Sequence, residues 1–279
     1  MQENDKLFFK VWRNITILNE IIYHLRLYRD NYKKEFKNLK EFNFYQFRDY
    51  ISELVLVDSN DDDLNNNDGD NNNDDDLNYL KNSITSLTFN DKFNEQLNKS
   101  NFSLKNSSIK TLKFGKMYNK KLDYDLLPNG LTSLIFNKLY DQPILPNYIP
   151  SSVTNLENPY FSKQEDLNKG IIPSSVKILK FDDSFNFPLE NGFIPKNVTD
   201  LTFGIAFNMI LKKGDIPFGC KSITFGICYN QPLIPFESIP LSVVNVNFGL
   251  CFSQPIKPGD IQNSLAIIKF SLNRKILNK

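Results

Sequence analysis

Apolar and polar positions alternate in short bursts along this chain, and the bursts recur at a fixed interval. Val198, Leu201 and Phe203 give the spacing Val-x-x-Leu-x-Phe. The Leu-x-Phe step has period two, which sets both side chains on one face of a short strand. Ile194-Pro195 and Phe203-Gly204 fall on Ile216-Pro217 and Phe225-Gly226, 22 residues further on. Unit starts read at Leu127, Ile149, Ile172, Ile194, Ile216, Ile239 and Ile261, always 22 or 23 residues apart. Phe136, Phe181, Phe203, Phe225, Phe248 and Phe270 each stand nine residues after a start, and Phe89 and Phe114 extend the series backwards. Such self-similarity predicts a solenoid, mainly β, in which each unit buries its apolar face against its neighbours. One short strand per unit would pair in parallel with the next, ~4.8 Å away.

A second aromatic column follows four residues after the first: Phe93, Tyr118, Tyr140, Phe185, Phe207, Tyr229 and Phe252. Asparagine comes next at Asn94, Asn119, Asn186, Asn208 and Asn230. An amide that both donates and accepts can satisfy loop backbone, so this column predicts a buried Asn ladder. Pro143, Pro188, Pro232 and Pro255 then suit a return path that needs no ladder N–H. Phe181, Asn186, Phe203, Asn208, Phe225, Asn230 and Phe248 are thus expected to be structural positions.

Phe-Asn followed by Ile-Pro, as in Phe185-Asn186 to Ile194-Pro195 and Phe207-Asn208 to Ile216-Pro217, resembles the FNIP repeat. The resemblance covers roughly residues 80 to 270. It implies a leucine-rich-repeat-like solenoid and no enzyme activity. Some proteins with these repeats bind calmodulin, and others carry an F-box-like head. The chain departs from the pattern at three places. Asn158 stands where Phe belongs, which predicts a local distortion. Met209-Ile210-Leu211 replaces the usual Gln-Pro-Leu. The last unit has Gln262 for Pro, and Arg274 and Lys275 at the aromatic-Asn position, which predicts a polar cap.

Residues 6 to 48 read as helical. Val11, Ile15, Leu18, Ile22 and Leu25 form one apolar face, and Leu25, Tyr28, Tyr32, Phe36 and Leu39 continue it among basic residues. Residues 1 to 50 are therefore read as a helical head with three alternative roles. It could cap the first unit, dock a Skp-type adaptor as an F-box-like module, or bind calmodulin or a membrane surface. Ile51, Leu54 and Leu56 echo the repeat spacing and predict a degenerate strand within residues 51 to 79. Residues 58 to 76 hold nine Asp, seven Asn and no Lys or Arg, a composition that predicts a disordered insertion. An EF-hand loop built on Gly69 would need an acid at Leu64, so calcium coordination is not expected. The solenoid is taken as residues 80 to 279.

Net charge is +1, but setting aside the nine insertion acids leaves 33 basic against 23 acidic residues. This excess is spread along the chain and does not mark a nucleic-acid site. Cys220, Cys228 and Cys251, an odd count with no signal sequence, fit a reducing, cytoplasmic setting, and their repeat positions predict small buried core thiols. No apolar run is long enough to span a membrane. His24 is the one histidine, and no triad, phosphate loop or HExxH is present, so no catalytic residue, metal ligand or cofactor is expected.

Surface chemistry remains. Strand positions directed away from the core form two columns. One contains Lys110, Thr132, Lys177, Thr199 and Lys221. The other contains Lys113, Lys180, Thr202, Thr224 and Asn247. In leucine-rich-repeat-like solenoids this face is the usual binding face. The expected function is a non-enzymatic protein-interaction scaffold, with ubiquitin-ligase substrate adaptor and calmodulin-binding effector as alternatives. The partner and the oligomeric state are not legible.

Overall fold

The computed structural model describes residues 15–36, 45–46, 48–56, 83–94, 96–97, 104–161, 167, 170–261 and 267–271. The expected insertion over 58–76 and the polar cap at Arg274 and Lys275 lie outside these residues. A helix, α1 (Ile15–Asn31), leads into eleven short strands. These are β1 (Lys33–Phe36), β2 (Glu53–Leu56), β3 (Ser86–Phe89), β4 (Thr111–Lys113), β5 (Ser133–Ile135), β6 (Asn155–Glu157), β7 (Ile178–Lys180), β8 (Asp200–Thr202), β9 (Ser222–Thr224), β10 (Asn245–Phe248) and β11 (Ile267–Phe270). They form one sheet in strict sequence order, and every pairing is parallel. The fold is a parallel solenoid with one strand per unit among the described residues.

Each recurrent residue has a mechanical role. The carbonyls of Pro128, Pro150, Pro173, Pro195, Pro217 and Pro240 each accept the N–H three residues on, so the Ile-Pro start closes a tight turn before the strand. From β1 to β9, the residue just before the strand then presents a carbonyl that accepts two N–H groups of the next unit. Lys110 O, for example, receives Thr132 N at 2.8 Å and Ser133 N at 2.9 Å. After the strand the chain turns so closely on the preceding unit that a Cβ on Gly204 would sit 1.7 Å from Asp182 O. Glycine is needed there for close approach.

The phenylalanines stack as a spine. Phe181, Phe203, Phe225, Phe248 and Phe270 follow one another at 5.7, 5.6, 5.3 and 5.5 Å between centroids, within 14° of parallel. The second column runs beside it, with Phe207–Tyr229 at 6.0 Å and Tyr229–Phe252 at 6.1 Å. Offset stacking of this kind adds about 0.5–1.5 kcal/mol per pair beyond burial. Asn158 breaks the spine, as its sequence position predicted. It sits buried in a left-handed conformation, φ 55°, and its amide donates to Phe136 O at 2.8 Å. Phe161 fills the gap with its ring tilted 59° to that of Phe181.

Three expectations are corrected. The helical reading of 6–48 fails at Lys33–Phe36, which is strand β1. There the sheet outcompetes the helical pattern. Tyr32 O accepts both Ser52 N and Glu53 N, and Phe36 is buried in register with Leu56. The Asn ladder exists, but it is not buried: Asn186 is exposed, and Asn208 and Asn230 are half-buried. Cys228 and Cys251 are exposed, and only Cys220 is a core thiol. Their column falls in the turn between the two aromatic positions, where side chains point outward.

Candidate protein-binding face

The outward strand positions line up as rungs. Val55, Thr88, Lys113, Ile135, Glu157, Lys180, Thr202, Thr224, Asn247 and Lys269 are consecutive register partners. The column read from sequence through Lys113, Lys180, Thr202, Thr224 and Asn247 is thus one continuous row. A second row was missed: Ser86, Thr111, Ser133, Asn155, Ile178, Asp200, Ser222, Asn245 and Ile267. Period-two alternation carried that signal, since these residues stand two before the row already named. Lys110, Thr132, Lys177, Thr199 and Lys221 lie one residue before their strands and flank the face.

The threonines of that flank serve the sheet itself. Thr132 Oγ1 donates to Lys110 O at 3.0 Å and Thr199 Oγ1 to Lys177 O at 3.2 Å. The lysines are differently employed. Lys180 lies 3.7 Å from Glu157, whereas Lys110, Lys113, Lys177 and Lys221 make no ion pair among the described residues.

At the turn end of the strands the Asn column links units. Asn186 Oδ1 accepts Asn208 N, Asn208 Oδ1 accepts Asn230 N, and Asn230 Oδ1 accepts Ser253 N, each at 2.9 Å. Gln231 and Gln254 donate to Asn208 O and Asn230 O at 3.1 Å. Asn186, Asn208 and Asn230 each link one unit to the next through a backbone N–H.

The described residues hold no group of three or more metal-ligating side chains, and none of their helices is long and apolar enough to cross a membrane. Burial pushes the Cys220 thiol up to about 12, so it stays protonated. Its Sγ contacts the Ser222 carbonyl at 3.4 Å. Two grooves open on the surface. One of about 920 Å³ follows the Ile-Pro turns past Tyr124, Tyr148 and Phe218. The other, about 890 Å³, lies on the sheet face beside β2 to β5.

The FNIP repeat model matches residues 106–138, 118–161, 161–205 and 207–251, together just over half of the chain. The chain belongs to the FNIP repeat family. It is 32% identical over 213 residues to an FNIP repeat-containing protein of Dictyostelium discoideum, covering 64% of this chain and 41% of that relative. The chain thus spans well under half the length of the curated relative it matches. Among solved structures it resembles the circular leucine-rich-repeat protein CroV588, with a TM-score of 0.65 and 26% identity over 80% of this chain and 30% of that one. An FNIP array therefore folds here as a leucine-rich-repeat-like solenoid.

From residue 19 to 30, helix α1 shows most of its apolar residues outward. Ile21, Ile22, Leu25 and Tyr28 are exposed, and from 19 to 30 only Leu27 is half-buried. The helix is tied down near its C-terminal end. Asn31 accepts a hydrogen bond from Tyr45 and donates to Leu27 O, and His24 stacks on Tyr50 at 5.7 Å.

Proposed function

We propose that this FNIP protein is a non-enzymatic interaction scaffold whose sheet face holds a protein partner. The supporting observation is the row from Val55 to Lys269. It offers a regular array of outward side chains on a stacked core, and Lys113 within it makes no ion pair among the described residues. Repeats of this kind present surfaces. Affinity capture with the wild type and with a Thr202→Arg, Thr224→Arg double variant tests this. Partners recovered by the wild type and lost by the variant are the expected result. Recovery of the same partners by both would defeat the proposal.

The exposure of Ile22, Leu25 and Tyr28 favours a second reading, in which α1 docks calmodulin or a Skp-type adaptor. Titration of the full chain with each, beside a Leu25→Glu variant, checks it. Binding lost with Leu25→Glu supports the reading, and no binding to either protein removes it. The compartment is proposed to be the cytoplasm on the basis of the unpaired cysteines.

A further inference from the structure

We infer that the groove beside β2 to β5 docks an extended acidic segment of a partner protein. This rests on the reading of the sheet face as a partner-binding surface and specifies the partner's chemistry.

The groove is built from both the sheet and its turns. Val55 and Ile135 of the outward row line it at either side of Thr88 and Lys113, and Leu139 joins the lining from the turn after β5. Lys113 rises from the same row, and Lys116 and Lys138 come from successive turns. Counting Lys92, the lining holds four lysines against a single carboxylate, Asp91. Lys116 is neutralised by Asp91. Lys138 reaches past the unit broken at Asn158 to Asp183, at 2.7 Å. Lys113 makes no ion pair among the described residues. With these pairs counted, Lys113 keeps the groove cationic, and a cationic surface favours an acidic occupant in both rate and orientation.

The occupant's form follows from spacing. Val55 and Ile135 lie three strand steps apart, about 14 Å at ~4.8 Å per step. An extended chain covers that distance in about four to five residues at ~3.3 Å each. Such a chain turns every second side chain toward the groove, so acidic residues at alternate positions can meet the lysines while the others face away.

Nucleic acid would meet the same charge but needs exposed aromatic or guanidinium faces on which to stack bases. The lining contains no arginine, and its rings, Phe89, Phe114 and Phe136, are buried and already stacked on one another and on the second aromatic column. The groove thus suits a peptide.

The test uses the full chain and a fluorescent octapeptide of alternating Glu and Leu, with a Lys-Leu counterpart and a single-stranded oligonucleotide as comparators. Lys113→Glu is the main variant because it disturbs no described ion pair, and Lys113→Gln is its milder form. Lys196→Glu, beside the other groove, is the control. Expected are binding of the Glu-Leu peptide alone, at least tenfold weakening by Lys113→Glu, a smaller loss by Lys113→Gln, and no change with Lys196→Glu. Affinity should fall as salt rises. Equal peptide binding by wild type and Lys113→Glu would overturn the inference, as would preferential binding of the oligonucleotide. If the Thr202→Arg, Thr224→Arg variant loses captured partners while Lys113→Glu changes nothing, the face reading stands and the acidic-segment inference falls. If neither variant has any effect, both fall.

Discussion

Asp182 shows how much a single repeat position constrains. It follows the spine residue Phe181, as Asn137 follows Phe136, and its Oδ1 accepts Ser184 N as the Asn137 Oδ1 accepts Leu139 N. The turn needs a side-chain acceptor, which Asn supplies without charge. Burial raises the Asp182 carboxyl above the ordinary Asp range. A raised folded-state value means that the charged form destabilises the fold at neutral pH. That penalty fades as pH falls through the raised value toward the unfolded value near ~3.9. Asp182→Asn should therefore be more stable than wild type at pH 7, with the gap narrowing toward pH 4 in urea unfolding. A gap that widens on acidification would contradict this. The cysteines give a second check at this scale. A thiol-reactive label should modify Cys228 and Cys251 in the native protein and reach Cys220 only after denaturation, as peptide mass spectrometry would show. The buried-thiol expectation failed for Cys228 and Cys251 because their repeat position lies in an outward turn, and Ser184 at the same position already carried that hint.

At the scale of elements, strands were legible wherever Val-x-x-Leu-x-Phe survived, including β2 at Ile51 to Leu56. Strand β1 was not, because Lys-Lys-Glu-Phe lacks the preceding apolar pair and continues a helical spacing. Tertiary pairing with β2 decided its conformation, as strand propensity depends on neighbours. The missed outward row had the same origin. It is legible as alternation, but polar residues such as Ser133 and Asn155 carry no strand signal by themselves. The stack also implies a gradient. Phe248 and Val246 are 0% and 1% exposed, whereas Phe270 and Ile268 of β11 are 47% and 43% exposed. Phe225→Ala should cost about 3–5 kcal/mol, the range for a buried phenylalanine. Phe270→Ala should cost less than half of that in the same denaturant titration. Equal costs would mean that β11 is as well packed as the interior units.

For the whole molecule, period and register arise from the same cause. Every inward position is repeated because each unit's core is completed by the next, so architecture could be read from the sequence almost to the residue. The binding face was harder to read. Selection for stacking leaves outward positions free to vary, and threonine there serves both strand propensity and backbone hydrogen bonding. Which outward residues are spare became visible only when Thr132 and Thr199 proved to be bonded to the neighbouring unit and Lys113 did not. The most direct test of a partner-binding sheet face is site-specific photo-crosslinking in cells. A photoreactive residue at Thr202, in the outward row, is compared with one at Phe218, on the Ile-Pro flank. A discrete crosslinked partner from position 202 and none from 218 is the expected outcome. A partner captured from 218 and never from 202 would contradict the account.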